Sequence, residues 1–210
     1  MPPLILASSS PRRRELLASL GIDFTVVKPD VDERQRPGEA PLDYVRRLSQ
    51  EKAADVAARL PSPITVLAAD TVVILAADTL GVDDEGEILG KPADADDARR
   101  MLRRLRGREH QVYTAMTLLV VDGDAAKPRR QMTTLTRTDV YMRPYTDAEI
   151  EAYIATGDPF DKAGSYAIQH QGFQPVERIE GSYTNVVGLP LETLEVMLAD
   201  IGWPDVKTVE

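Results

Sequence analysis

Two periodicities take turns along the chain, and each block of them predicts one element. Pro3–Ala7 is a short apolar run that predicts a buried strand. Ser10 followed by Pro11 has the form of a helix N-cap with proline at the first helical position. The spacing then predicts a helix over Arg12–Leu20 that Gly21 stops. Asp23–Lys28 is a β-branched strand candidate, and Pro29–Glu39 is a polar loop. Leu42, Val45, Leu48, Lys52 and Val56 recur at helical spacing and predict a long amphipathic helix over Pro41–Leu60. Ile64–Leu75 is apolar almost throughout, as a central strand buried on both faces would be.

The second half continues the alternation. An Asp/Gly-rich hairpin returns through a strand near Glu87–Leu89, and Asp94–Leu105 reads as a helix. Gln111–Val121 and Thr133–Met142 alternate as two strands of an antiparallel pair. Thr146, with Glu149 three residues on, has the form of a capping box for a helix reaching about Thr156. Gly157–Gly188 is glycine-rich with short strands expected, and Pro190 opens a last helix that ends near Gly202. Strands and helices that alternate end to end predict a mixed-sheet α/β fold, with residues 1–210 forming one domain.

Composition narrows the chemistry. The 210 residues contain no cysteine and only two histidines, His110 and His170. That excludes thiol nucleophiles, disulfide scaffolds, cysteine-ligated metals and three-histidine metal sites. The formal net charge of −9 argues against a generally basic nucleic-acid binder, although a cleft keeps its own local field. Leu4–Ala7 is short for a signal-peptide core and no window suits a membrane span, so the expected location is the cytoplasm, with no membrane partner.

Several polar residues stand where simple folding does not call for them. Ser8-Ser9-Ser10-Pro11-Arg12-Arg13-Arg14 joins hydroxyls and guanidinium groups to a helix N-terminus, a combination suited to phosphate and equally to a well-capped, solvated helix. Asp70 interrupts the apolar run Val66–Ile74. A carboxylate there is costly unless compensated, which points to a metal ligand, a general base or a structural ion pair. Lys52 lies near the apolar stripe of its helix, as a snorkelling lysine does. Lys91 is held between Gly90 and Pro92, and Glu33 sits in an acidic loop. Asp161–Gln169 is a Gly/Ser turn that serves a substrate loop or an ordinary connection. The arginines from Arg99 to Arg108 read as a solvated face, because Asp94, Asp96 and Asp97 offset them and no aromatics interleave. No Gly-x-Ser-x-Gly elbow occurs.

Taken together, six motifs in order resemble the Maf family of nucleoside triphosphate pyrophosphatases from about Pro3 to Gly202. They are Leu4–Arg13, Lys52-Ala53, Ala69–Val73, Gly90-Lys91-Pro92, Ala163–Gln169 and Gly181–Pro190. The resemblance implies an elongated mixed α/β fold with a central cleft, similar to the inosine-triphosphate pyrophosphatases, and a homodimer. It implies hydrolysis of a nucleoside triphosphate to the monophosphate and pyrophosphate with a divalent metal, Mg²⁺ or Mn²⁺. By position, Asp70 falls on the family's proton acceptor. Ser8, Arg13, Lys52 and Lys91 fall on substrate and phosphate positions, with Glu33 and Asp70 as candidate metal ligands. Arg12, Thr71 and Gln169 match the subgroup acting on dTTP and UTP. Purine substrates of the ITP/XTP or 7-methyl-GTP type, or a non-enzymatic role in septum formation, are the alternatives. The chain departs from the family in two places. Ala115 stands where many members have glycine, and the segment between Asp70 and Lys91 is long, with Ala76–Gly86 as the excess.

Overall fold

A computed structural model describes residues 2–75, 87–125 and 127–204; the long segment over Ala76–Gly86 lies outside them. The strands are β1 (Leu4–Ala7), β2 (Phe24–Val26), β3 (Ile64–Leu75), β4 (Glu87–Leu89), β5 (Glu109–Val121), β6 (Arg130–Met142) and β7 (Val176–Glu180). The helices are α1 (Pro11–Ser19), α2 (Pro41–Arg59), α3 (Ala95–Leu105), α4 (Asp147–Ala155), α5 (Tyr183–Val187) and α6 (Leu191–Asp200). The strands form one sheet in the order β2-β1-β3-β5-β6-β7, with β4 also paired to β3. β1 is parallel to both β2 and β3, whereas β3/β4 and β6/β7 are antiparallel, so the sheet is mixed as expected.

The local signals explain most boundaries. Ser10 caps α1 by accepting from the Arg13 N–H with Pro11 in the first turn, and Gly21 follows the helix at φ 69°. Thr146 and Glu149 form the reciprocal capping box of α4. Asp94 accepts from the Asp97 N–H at the start of α3. β3 is buried along its length except at Thr71, because it is paired on both sides and covered on both faces. The glycine-rich stretch differs from expectation. Instead of several short strands it holds two 3₁₀ turns (Asp158–Asp161 and Ala163–Ser165), the single strand β7 and the short α5.

The chain divides into two compact units, each discontinuous in sequence. The first comprises Met1–Asp70, Thr114–Thr136 and Gly188–Glu210; the second comprises Thr71–Tyr113 and Arg137–Val187. Each has its own apolar core. In the first, Leu4, Leu6, Leu17, Leu67, Met116, Leu194 and Leu198 form one cluster, and Ile5, Ala53, Val56, Val66 and Leu119 another. In the second, Leu89, Leu102, Val140, Tyr145, Tyr153, Tyr166 and Phe173 pack together. Among the described residues no helix is long and apolar enough to cross a membrane.

Candidate functional site

The first unit assembles an ionic cluster around the end of β1 and the middle of β3. β1 pairs with β3 in parallel, with Ala7 opposite Ala68, which brings the β1–α1 turn beside Ala69 and Asp70. Asp70 is 8% exposed. Its Oδ1 accepts from Lys52 Nζ at 2.6 Å, and the same ammonium meets Glu33 Oε1 at 2.9 Å. Lys52 is itself buried, so it is no snorkelling lysine: its nitrogen ends between two carboxylates. Arg13 adds a second cation. Its Nε donates to the Gly188 carbonyl at 2.8 Å and its Nη1 to the Ala69 carbonyl at 2.7 Å, directly before Asp70.

Burial and charge oppose each other here. Burial pushes the Asp70 carboxyl above the ordinary carboxylate value, while Lys52 and Arg13 pull it down. Burial lowers the Arg13 guanidinium, and Asp70 partly restores it. Glu33 and Asp70 also present hard oxygen donors to one cation position, the donor type that Mg²⁺ or Mn²⁺ takes. Among the described residues no group of three or more His, Asp or Glu side chains could hold a metal by itself.

The loop that carries Glu33 is held by residues that motif reading did not single out. Tyr44 Oη donates to the Glu33 carbonyl at 2.8 Å. Burial, with Asp70 and Glu33 nearby, pushes the Tyr44 phenol up to about 12. Arg47 grips Glu39 at 2.5 and 2.7 Å and Glu51 at 2.9 Å, and reaches the Arg34 carbonyl at 3.2 Å. Tyr44, Arg47 and Glu51 follow helical spacing on α2, the one signal in the sequence that could have marked this face.

Ser8 is buried at the end of β1, where its Oγ accepts from the Ser10 N–H at 3.1 Å. Arg12 is half-buried in the first turn of α1. The other sequence candidates belong to the second unit. Thr71 follows Asp70 in β3 and is half-buried, whereas Lys91 and Gln169 are exposed. The Gly90-Lys91-Pro92 turn is tied to the next motif, since the Gly164 N–H donates to the Gly90 carbonyl at 3.1 Å. Gly164 has φ +71°, and a Cβ there would approach Val73 Cγ1 and Cγ2 at 3.2 Å. His110 is structural: it is buried, its Nε2 pairs with Tyr166 Oη at 2.7 Å, and burial lowers it to about 3. Arginines of α3 and of its C-cap pair with acids, Arg100 with Asp97 and both Arg103 and Arg106 with Asp147, rather than forming an unbalanced basic patch.

Comparison with known proteins places this architecture. The family model described as Maf-like protein matches residues 3–201. The chain belongs to the Maf family. This Maf chain is 48% identical to a dTTP/UTP pyrophosphatase of Anaeromyxobacter dehalogenans, across 97% of this chain and 96% of that one. It is 46% identical to a dTTP/UTP pyrophosphatase of Chromobacterium violaceum, across 95% of each. A dTTP/UTP pyrophosphatase of Geotalea uraniireducens is 50% identical, across 90% of this chain and 89% of that one. Among solved structures, the Staphylococcus aureus Ham1 protein matches 95% of the Maf chain and 99% of its own, at 14% identity and a TM-score of 0.49.

Proposed function

We propose that this Maf-family chain hydrolyses nucleoside triphosphates, dTTP and UTP first among them, to the monophosphate and pyrophosphate. The observation that carries the reading is near-half identity, end to end, to proteins named dTTP/UTP pyrophosphatase. The buried carboxylate between two cations supplies a physical basis for it.

In the reaction a water oxygen attacks the α-phosphorus, the bond from that phosphorus to the bridging oxygen breaks, and pyrophosphate leaves. Asp70 is assigned the proton that the water loses. Arg13 and Lys52 set the positive field around it, which offsets charge on the phosphate chain. Ser8 and Lys91 are assigned to phosphate oxygens by their motifs. Glu33 and Asp70 would hold a divalent cation, which supplies charge neutralisation at phosphate and lowers the pKa of bound water. Arg12, Thr71 and Gln169 are assigned to base selection. The side-chain amide of Gln169 matches the adjacent N3–H and carbonyl of uracil or thymine. The reading extends to a single functional domain that acts as a homodimer in the cytoplasm.

A panel of nucleoside triphosphates, assayed for pyrophosphate release with Mg²⁺ and with Mn²⁺, tests it. Expected are dTTP and UTP as the best substrates, with monophosphate as co-product. Release of orthophosphate, no turnover with either metal, or a first rank for CTP, GTP or ITP would overturn it.

A further inference from the structure

Gln169 lies on an exposed turn, yet the residues on both sides of it converge on one buried side chain. On the upstream side, the Ala167 N–H donates to Tyr153 Oη at 3.1 Å. Tyr153 Oη in turn donates to Asp158 Oδ2 at 2.8 Å. Asp158 Oδ1 accepts from Lys162 Nζ at 2.8 Å, and the same ammonium donates to the Asp158 carbonyl at 2.6 Å and to Asp161 Oδ1 at 2.7 Å. On the downstream side, the Tyr153 ring meets His170 edge-on with centroids 4.8 Å apart and stacks on Phe173 at 4.5 Å. His170 Nδ1 accepts from the Phe173 N–H at 2.8 Å and the Gly172 N–H at 3.2 Å, which closes the turn after Gln169.

One tyrosine on α4 therefore touches residue 167 with its hydroxyl and residues 170 and 173 with its ring. Tyr153 is 1% exposed and Lys162 6%. Apolar residues could join a helix to a loop at lower desolvation cost than a buried ammonium with its carboxylates. A directional chain of donors adds register instead, because the hydroxyl has one acceptor and one donor in fixed positions. Beside this anchor a pocket of about 320 Å³ opens, with Gln169, His170, Gln171, Gln174, Arg178 and Tyr183 on its wall.

We infer that Tyr153, braced by the Asp158–Lys162 pair, is a positioning residue that holds the turn carrying Gln169 in register and thereby sets the base preference. The inference rests on the reading of Gln169 as the base-selecting residue. A turn that shifts carries the amide out of register with the edge of the base, so it separates uracil from cytosine less well.

The test compares Tyr153→Phe, Asp158→Asn and Gln169→Ala with wild type, using kcat and KM for UTP and CTP at one temperature well below every melting point. Tyr153→Phe keeps the ring and its stacking and removes only the hydroxyl. Its UTP-over-CTP preference in kcat/KM should fall about 5- to 50-fold, through KM and discrimination, with kcat for UTP within a few-fold of wild type. Asp158→Asn, which keeps the hydroxyl and weakens its partner, should shift preference in the same direction by less. Gln169→Ala should abolish the preference outright. The positioning role is overturned if Gln169→Ala abolishes preference while both other variants, correctly folded, keep it. If Gln169→Ala leaves preference intact, the base-selection reading fails and the inference falls with it.

Discussion

Replacing Lys52 with methionine separates two roles that the same lysine could play. Methionine fills the apolar space of the lysine stem and removes the ammonium that meets Asp70 at 2.6 Å and Glu33 at 2.9 Å. Glu33 has a 52% exposed side chain and so loses little with this contact, but Asp70 is buried. Removing one partner of a buried pair costs about 3–5 kcal/mol when the other stays charged. Arg13 remains near Asp70, so the lower figure applies, which for a protein of this size is about 6–12 °C in Tm. The sign of the pH dependence follows from the raised Asp70 carboxyl. Such a group contributes its stability fully below the unfolded value of 3.8 and loses it as pH rises through the folded value. Without Lys52 the folded value rises further, so the deficit of the variant is small below the unfolded value of 3.8 and grows as pH rises through the folded values. Activity moves the other way. If Asp70 must be ionised to take a proton, the acid limb of kcat/KM shifts to higher pH, and the loss is larger at pH 6 than at pH 9. Thermal melts and pH–rate profiles of the one variant thus cross. The double variant Lys52→Met/Asp70→Asn should regain most of the lost stability, since no charge is left stranded. A pH-independent rise in KM with no stability deficit would refute the argument and make Lys52 a phosphate contact only.

Asp70→Asn should lower kcat for dTTP or UTP about 10²-fold or more, roughly 2.7 kcal/mol of barrier, and should cost less stability than Lys52→Met, because the buried Lys52 keeps Glu33 at 2.9 Å as its partner; turnover within a few-fold of wild type would make Asp70 structural. Gly181→Ala should cost about 2–4 kcal/mol in urea unfolding. Gly181 has φ +125°, and an added Cβ would stand 2.9 Å from Thr138 Oγ1. That hydroxyl accepts from the Ser182 N–H and from Asn185 Nδ2, so the loss reaches the whole start of α5; a cost under about 1 kcal/mol would show that the turn gives way freely.

What the sequence discloses depends on how local the deciding interaction is. The bounds of β3 are legible because a strand buried on both faces writes an unbroken apolar run, and α1 and α4 are legible because Ser10, Pro11, Thr146 and Glu149 act within one turn. Residues 157–188 are not. Gly157 and Gly164 at positive φ and the Lys162 contacts turn the chain there, and those depend on neighbours that no periodicity reports. The site shows the same division. Asp70 stands out as a carboxylate in an apolar run, but its partner is set by how α2 lies against β3, so the helical pattern alone makes Lys52 a snorkelling residue and the family motif makes it a phosphate contact, and neither names its pairing with Asp70. Tyr44 and Arg47 go unnoticed for a related reason: they hold Glu33 through backbone and loop contacts rather than by belonging to a motif.

Arg13 also imposes an order on how the molecule comes into being. Its Nε partner, Gly188, lies 175 residues further along the chain. During synthesis at about 5–20 residues per second, that interval lasts about 10–35 s. Every residue of the second unit has been made by Val187, whereas the first unit still awaits Gly188 and the helix that follows it. The unit that begins first is thus completed last. The contact between Arg13 Nε and the Gly188 carbonyl is therefore among the last that a newly made chain can form, although Lys52, Glu33, Asp70 and Ala69 are all made within the first 70 residues.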